Sequence, residues 1–266
     1  MQPRLFRYGR DVPDRLRPPS PGRVHLWLLG TKSLASRERA ALYALLSPEE
    51  RRRCGRFRLA ADRELHALAR GLARRLLGRY CEADPRELCF RYGPWGKPEL
   101  AGRHAVSFNL SHAGSHILAG FAAPGDSLGV DIEPLRPLDG LDGLLACLHP
   151  RERQDLAGLD GQARATAFLR LWTCKEAVVK ALGQGLSLPL DSFAFGLSRR
   201  GEPIPRSLPT GPAAWSLRRF DVRPGLSCAA ALARGVCQSG PVQEHLWPNL
   251  DSAPAKTGLH ISLARI

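Results

Sequence analysis

Two stretches of the chain place charges inside apolar sequence. Asp131 and Glu133 stand two residues apart in LGVDIEPL (128–135), and Lys175, Glu176 and Lys180 punctuate LWTCKEAVVKALG (171–183). Side chains of a strand alternate between its faces. Asp131 and Glu133 therefore share one face, on the order of 6–7 Å apart along the strand, with Val130 and Ile132 on the other. Carboxylates that close raise each other's pKa unless something positive lies between them. A hard divalent cation such as Mg²⁺ meets that need with oxygen ligands and water, although a solvated edge face is the plainer reading of such a pair taken alone. The second stretch reads as a helix. Wound at about 100° per residue, positions 168–182 gather Phe168, Leu171, Trp172, Val178, Val179 and Leu182 into one arc. Lys175 falls in the middle of that arc and Glu176 at its edge. Glu176 and Lys180 form an ordinary i,i+4 pair. Lys175 must snorkel or meet an anion.

Further polar residues sit near apolar strands. In SFNLSHAGSHILAGFA (107–122), VSF and ILAGFA read as paired strands joined by a polar turn carrying Asn109, Ser111 and His112. In RYGPWGKPEL (91–100), Gly and Pro impose a tight turn that presents Lys97. A turn lysine is ordinarily solvated, and a lone histidine is more often structural than a ligand.

The elements that position these residues come in two sets. VHLWLL (24–29) and GVDIEP (129–134) read as strands. LLSPEE (45–50) and CLHPRE (147–152) read as helix starts, the first with Ser47 as N-cap, Pro48 at the first helical position and Glu50 closing a capping box. LARGLARRLLG (68–78) and TCKEAVVKALG (173–183) read as helix ends stopped by glycine, and GKP (96–98) and GEP (201–203) as hairpin turns. These matches recur in order at offsets of 102 to 105 residues, the mark of an internal repeat. The expectation is an α+β protein of two related halves, 23–125 and 126–235, each an antiparallel sheet packed with helices. An irregular basic segment (1–22) precedes them and an irregular tail (236–266) follows.

The 266 residues suffice for two such cores. The formal charge of +14 predicts an acidic partner: nucleic acid, an anionic membrane, a phosphorylated cofactor or an acidic protein. A nucleic-acid binder is the alternative that charge alone allows, but no helix-turn-helix, zinc-finger or aromatic RNA-binding pattern accompanies it. Seven cysteines without a CxxC pair read as reduced thiols in a cytoplasmic protein. Cys174, beside Lys175 in mid-helix, lacks the helix N-terminus that activates a thiolate. The N-terminus lacks the apolar segment of a signal peptide, and no apolar run reaches membrane-spanning length.

In order and spacing, WGKPEL (95–100), FNLSHAG (108–114), GVDIEPL (129–135) and FLRLWTCKEAVVKALGQGLSLPLDSF (168–193) resemble the motifs of 4′-phosphopantetheinyl transferases of the surfactin-synthetase-activating type. The likeness runs from about residue 45 to 197. It implies transfer of the phosphopantetheine arm of coenzyme A to a serine of an apo acyl or peptidyl carrier protein, at a site between two pseudo-symmetric halves of a monomer. It implies Mg²⁺ (or Mn²⁺) on Asp131, Glu133 and Glu176, with Glu176 as general base, directly or through a water. Lys175 and Lys180 would meet the pyrophosphate. Arg53, Lys97, Pro98, Asn109, Ser111 and His112 would contact coenzyme A, His112 through the 3′-phosphate. Where some relatives carry a lysine this chain has Glu50, so Arg51 or Arg52 would compensate. Glu152 matches a family acid and equally suits a helix N-terminus. An acidic carrier explains the basic charge without nucleic acid.

Overall fold

Ser47 caps the helix that begins at Pro48: its hydroxyl accepts from the Glu50 N–H, and the Glu50 carboxylate accepts from the Ser47 N–H. His149 and Glu152 make a similar start: the Glu152 carboxylate accepts from the His149 N–H and His149 Nδ1 from the Arg151 N–H, again with Pro at the first helical position. Both helix starts satisfy donors that would otherwise be orphaned. The computed structural model describes residues 13–102, 106–209, 215–233 and 260–265. Its chain divides into two units, one of residues 1–126 with 260–266, the other of residues 127–259. The class is the α+β expected, antiparallel sheets packed with helices.

In the first unit, β1 (Arg23–Gly30), α1 (Ser36–Tyr43), α2 (Pro48–Cys54) and the 22-residue α3 (Ala60–Cys81) lead to the hairpin β2 (Phe90–Tyr92)–β3 (Pro98–Leu100). The strands β4 (Ser107–Ala113) and β5 (His116–Ala122) follow. The sheet order is β11-β1-β5-β4. Here β11 (His260–Arg265) lies parallel to β1, so the tail expected to be irregular contributes a strand. Leu68, Leu72, Leu76 and Tyr80 of α3 form the core with Trp27, Leu29, Phe108, Ile117 and Phe121.

The second unit contains β6 (Ser127–Pro134), α4 (Leu141–Leu145), α5 (Pro150–Ala157) and the 22-residue α6 (Gly161–Leu182). The hairpin β7 (Ala194–Leu197)–β8 (Pro203–Ser207) and the strands β9 (Trp215–Arg223) and β10 (Leu226–Ala233) complete it. The sheet order is β6-β10-β9, antiparallel throughout. The two hairpin turns share one hydrogen-bond pattern: Gly93 and Ser198 donate to Lys97 O and Glu202 O, and Gly96 and Gly201 donate back to Gly93 O and Ser198 O. Gly96 and Gly201 both take the positive φ that such a turn requires.

One expected helix end moves. Gly183 does close α6, in the left-handed conformation. Gly78 does not close α3, which continues to Cys81. A Cβ on Gly78 would stand 2.8 Å from Ala83 O and from Pro85 Cγ. That glycine is required by the returning chain packing against it, not by the cap. Among the described residues, no helix is long and apolar enough to cross a membrane.

Candidate active site

Gly129 governs how the second unit's charges meet. It shares a face of β6 with Asp131 and Glu133, and that face lies against α6. A Cβ on Gly129 would fall 1.9 Å from Ala177 O and 2.3 Å from Ala181 N. Only a strand position without a side chain lets the helix backbone come so close. The partner strand is equally small here: Asp131 pairs with Ala229 and Gly129 with Ala231, and both alanines are fully buried. This close approach brings Glu176 and Lys180 of α6 to the β6 carboxylates.

Lys180 Nζ donates to Asp131 Oδ1 at 2.6 Å. Asp131 is buried, whereas Glu133 and Glu176 are half-buried. Burial, and then the neighbouring Asp131, push Glu133 up to about 7, against Lys180 and Arg136; Glu176 adds to the rise. Glu176 is raised by burial and by Asp131, with Lys180 opposing. Three carboxylates thus share one electrostatic neighbourhood with a single close lysine. Chemically the set suits a hard divalent cation. Among the described residues, however, no three acidic, His or Cys side chains are grouped closely enough to hold an ion as they stand. Asp131 Oδ1 already accepts from Lys180.

Lys175 lies elsewhere than its expected place on a pyrophosphate. Its side chain is 0% exposed, and its ammonium donates to both oxygens of Glu152, at 2.7 and 2.9 Å, and to Phe193 O at 2.7 Å. The ammonium also stands 4.2 Å from the centre of the Phe193 ring. All three of its hydrogen bonds are made inside the protein, so the anion demanded by the apolar stripe is Glu152. Cys174 is buried and its thiol is pushed up to about 12 by burial, which removes it as a thiolate nucleophile.

In the first unit, the Arg53 guanidinium sits 3.7 Å from the centre of the Tyr92 ring and pairs with Glu49 at 2.8 Å. Tyr92 pairs with Pro98 across the hairpin whose turn ends at Lys97. Burial lowers the Lys97 ammonium to about 8, with Glu99 opposing. Asn109, Ser111 and His112 lie within β4 rather than in a turn, because β4 runs on to Ala113 and the turn is Gly114–Ser115. Alternation then separates them. His112 faces α3, edge-on to His66 with ring centres 6.1 Å apart, while Asn109 and Ser111 take the opposite face. Sequence reasoning passed over His66, which also packs at 4.9 Å on Phe57. Its imidazole is lowered to about 4 by burial, then by His112 and Arg70. A histidine on α3 gave no periodic signal that could mark it. Glu50 is no surface group for a ligand: it accepts from Arg70 and Arg74 in the buried core. Arg51 and Arg52 are exposed.

Two family models match the chain. The 4′-phosphopantetheinyl transferase superfamily model covers residues 127–232, and the model of the N-terminal part of 4′-phosphopantetheinyl transferases covers residues 35–123. The chain is similar to the 4′-phosphopantetheinyl transferase HetI of a Nostoc species, with 36% identity over 79% of this chain and 86% of that protein. It is similar to the 4′-phosphopantetheinyl transferase Sfp of Bacillus subtilis, with 30% identity over 76% of this chain and 88% of that one. A putative transferase of a Synechocystis species is 40% identical over 54% of this chain and 59% of its own length.

Proposed function

The chain belongs to the 4′-phosphopantetheinyl transferase superfamily, and on that footing we propose that it moves the 4′-phosphopantetheine arm of coenzyme A onto a serine of an acyl or peptidyl carrier protein, releasing 3′,5′-ADP. The observation that carries the reading is the seating of Glu176 and Lys180 beside Asp131 and Glu133, permitted by Gly129. In the transfer the carrier serine oxygen attacks the phosphorus bearing the pantetheine arm. A new P–O bond forms as the bond to the ADP oxygen breaks. The serine proton passes to Glu176, directly or through a water. Lys180, partly exposed and within reach of the cluster, stabilises charge growing on the leaving phosphate. Asp131, Glu133 and Glu176 would supply oxygen donors for Mg²⁺, which when bound would neutralise negative charge on the phosphates.

Arg53 and Lys97 give the first unit cationic groups, and His112 an imidazole hydrogen-bonding group, for the anionic nucleotide half of coenzyme A. An acidic carrier complements the net charge of +14. We take the enzyme as a cytoplasmic monomer with reduced thiols, in keeping with the six described cysteines, which are all free. Incubation with coenzyme A, MgCl₂ and purified apo carrier proteins, followed by intact-mass measurement, tests the reading. The expected result is a gain of one phosphopantetheine group on a carrier, lost in Glu176→Gln. Unmodified carriers across fatty-acid, polyketide and peptide types would overturn it.

A further inference from the structure

The Lys175–Glu152 pair has a counterpart in the other unit. Glu50 and Glu152 both occupy the third position of a helix opened by a capping box and a proline. Each receives a cation from the long helix of its own unit, Arg70 of α3 or Lys175 of α6. Arg70 and Lys175 are 105 residues apart, the same separation as the matching turn residues Gly96 and Gly201. In the first unit the residue after the cation is Gly71, whose missing Cβ leaves room for Leu42 O, 2.4 Å from where it would stand. In the second unit the residue after the cation is Glu176. The ion pair is therefore a device of the repeated fold, present where no carboxylate follows it.

We infer that Glu152 and Lys175 are positioning residues, which fix the rotation of α6 and so aim Glu176 and Lys180 at β6, and that Lys175 does not touch the substrate. Glu152 is 1% exposed and fully bonded: His149 N donates to Oε2 at 3.0 Å, Phe195 N to Oε1 at 2.8 Å, and Lys175 to both. Lys175 adds a bond to Phe193 O. Through this pair the middle of α6 is tied to the start of α5 and to β7. The opposite hold on α6 is its close contact with Gly129. A helix gripped from two sides cannot roll. With side chains reaching about 5–6 Å from the axis, a roll of about 10° displaces their tips by about 1 Å. A displacement of that size lowers catalysis by up to about 100-fold.

The inference rests on the proposed transfer, and its tests separate the two. Lys175→Met alone strands the Glu152 carboxylate, so the comparison uses the double variant Lys175→Met/Glu152→Gln. Its neutral Gln has one acceptor oxygen, which can still close the capping box from His149 N, while the bond from Phe195 N is given up. Against either single change, the double variant recovers the folded near-ultraviolet signal. It keeps the wild-type KM for coenzyme A within about twofold and loses at least about tenfold in kcat. A rise in KM with kcat retained would make Lys175 a substrate ligand and overturn the inference. Unchanged kcat and KM would reduce the pair to stability alone and overturn it as well. Should the double variant fail to fold, lysine methylation of the wild-type enzyme with and without coenzyme A decides, by peptide mapping. Lys180 reacts and is protected by coenzyme A, while Lys175 stays unmodified in both samples. Methylation of Lys175 that coenzyme A prevents would refute the inference. Unprotected Lys180 would count against the proposed transfer and leave the burial of Lys175 standing.

Discussion

Gly129→Ala is the sharpest probe of how the site is built. The added methyl would stand 1.9 Å from Ala177 O, 2.3 Å from Ala181 N and 2.9 Å from the Lys180 carbonyl carbon. All three are backbone atoms, so no rotamer change relieves them. The helix must back away by roughly 1.5 Å to reach ordinary contact. Replacing a glycine whose backbone is compatible with alanine would otherwise stabilise by about 0.4–1 kcal/mol. Overpacking at a well-packed contact costs about 1–3 kcal/mol and outweighs that gain. The expected outcome is a melting temperature lower by several degrees. The rate of carrier modification falls by about 100-fold, because Glu176 and Lys180 retreat with the helix. Gly143→Ala in α4 is the control, since a Cβ there meets nothing within 4 Å; it leaves both quantities unchanged or raises stability slightly. Differential scanning calorimetry and a stopped carrier assay measure the two. A Gly129→Ala enzyme of wild-type stability and rate would refute the reasoning.

Glu50→Gln leaves Arg70 and Arg74 buried without their counter-charge and lowers the unfolding free energy by about 3–5 kcal/mol, which urea titration measures. His66, held near 4 in the fold against 6.5 in the unfolded chain, takes up its proton later than the unfolded state as pH falls. Wild type therefore loses stability relative to His66→Phe between about pH 6.5 and 4, and parallel melting curves over that window would refute the assignment. Mg²⁺ raises the melting temperature of wild type but not of Asp131→Asn, with ethylenediaminetetraacetate reversing the effect. Equal shifts in both would place the ion elsewhere.

Local signals were legible where chemistry and geometry are local. Ser47 with Glu50 marked a helix start because the capping box is closed within four residues. The alternation of Asp131 and Glu133 marked a shared face because period two belongs to any strand. What escaped were pairings between distant elements. Periodicity showed that Lys175 required an anion but could not distinguish Glu152, on another helix, from a bound phosphate. The repeat held the missing information: Arg70 already met Glu50 at the matching positions. The turn expected at Asn109 to His112 failed because polar residues on an edge strand look like a loop in sequence. Gly129 was read as part of a motif, while its role depends on how near α6 comes, a distance that no window of sequence contains.

Asp131 is held in register by Ala229, nearly a hundred residues later in the chain. Pairings of such separation close late in folding, since loop entropy must be lost before the contact forms. The helix that presents Glu176 and Lys180 can form locally and early, but the strand that presents Asp131 and Glu133 gains its partner only once β10 has been synthesised. A nascent or truncated chain ending before β10 therefore holds every charged residue of the second unit's cluster and none of its register.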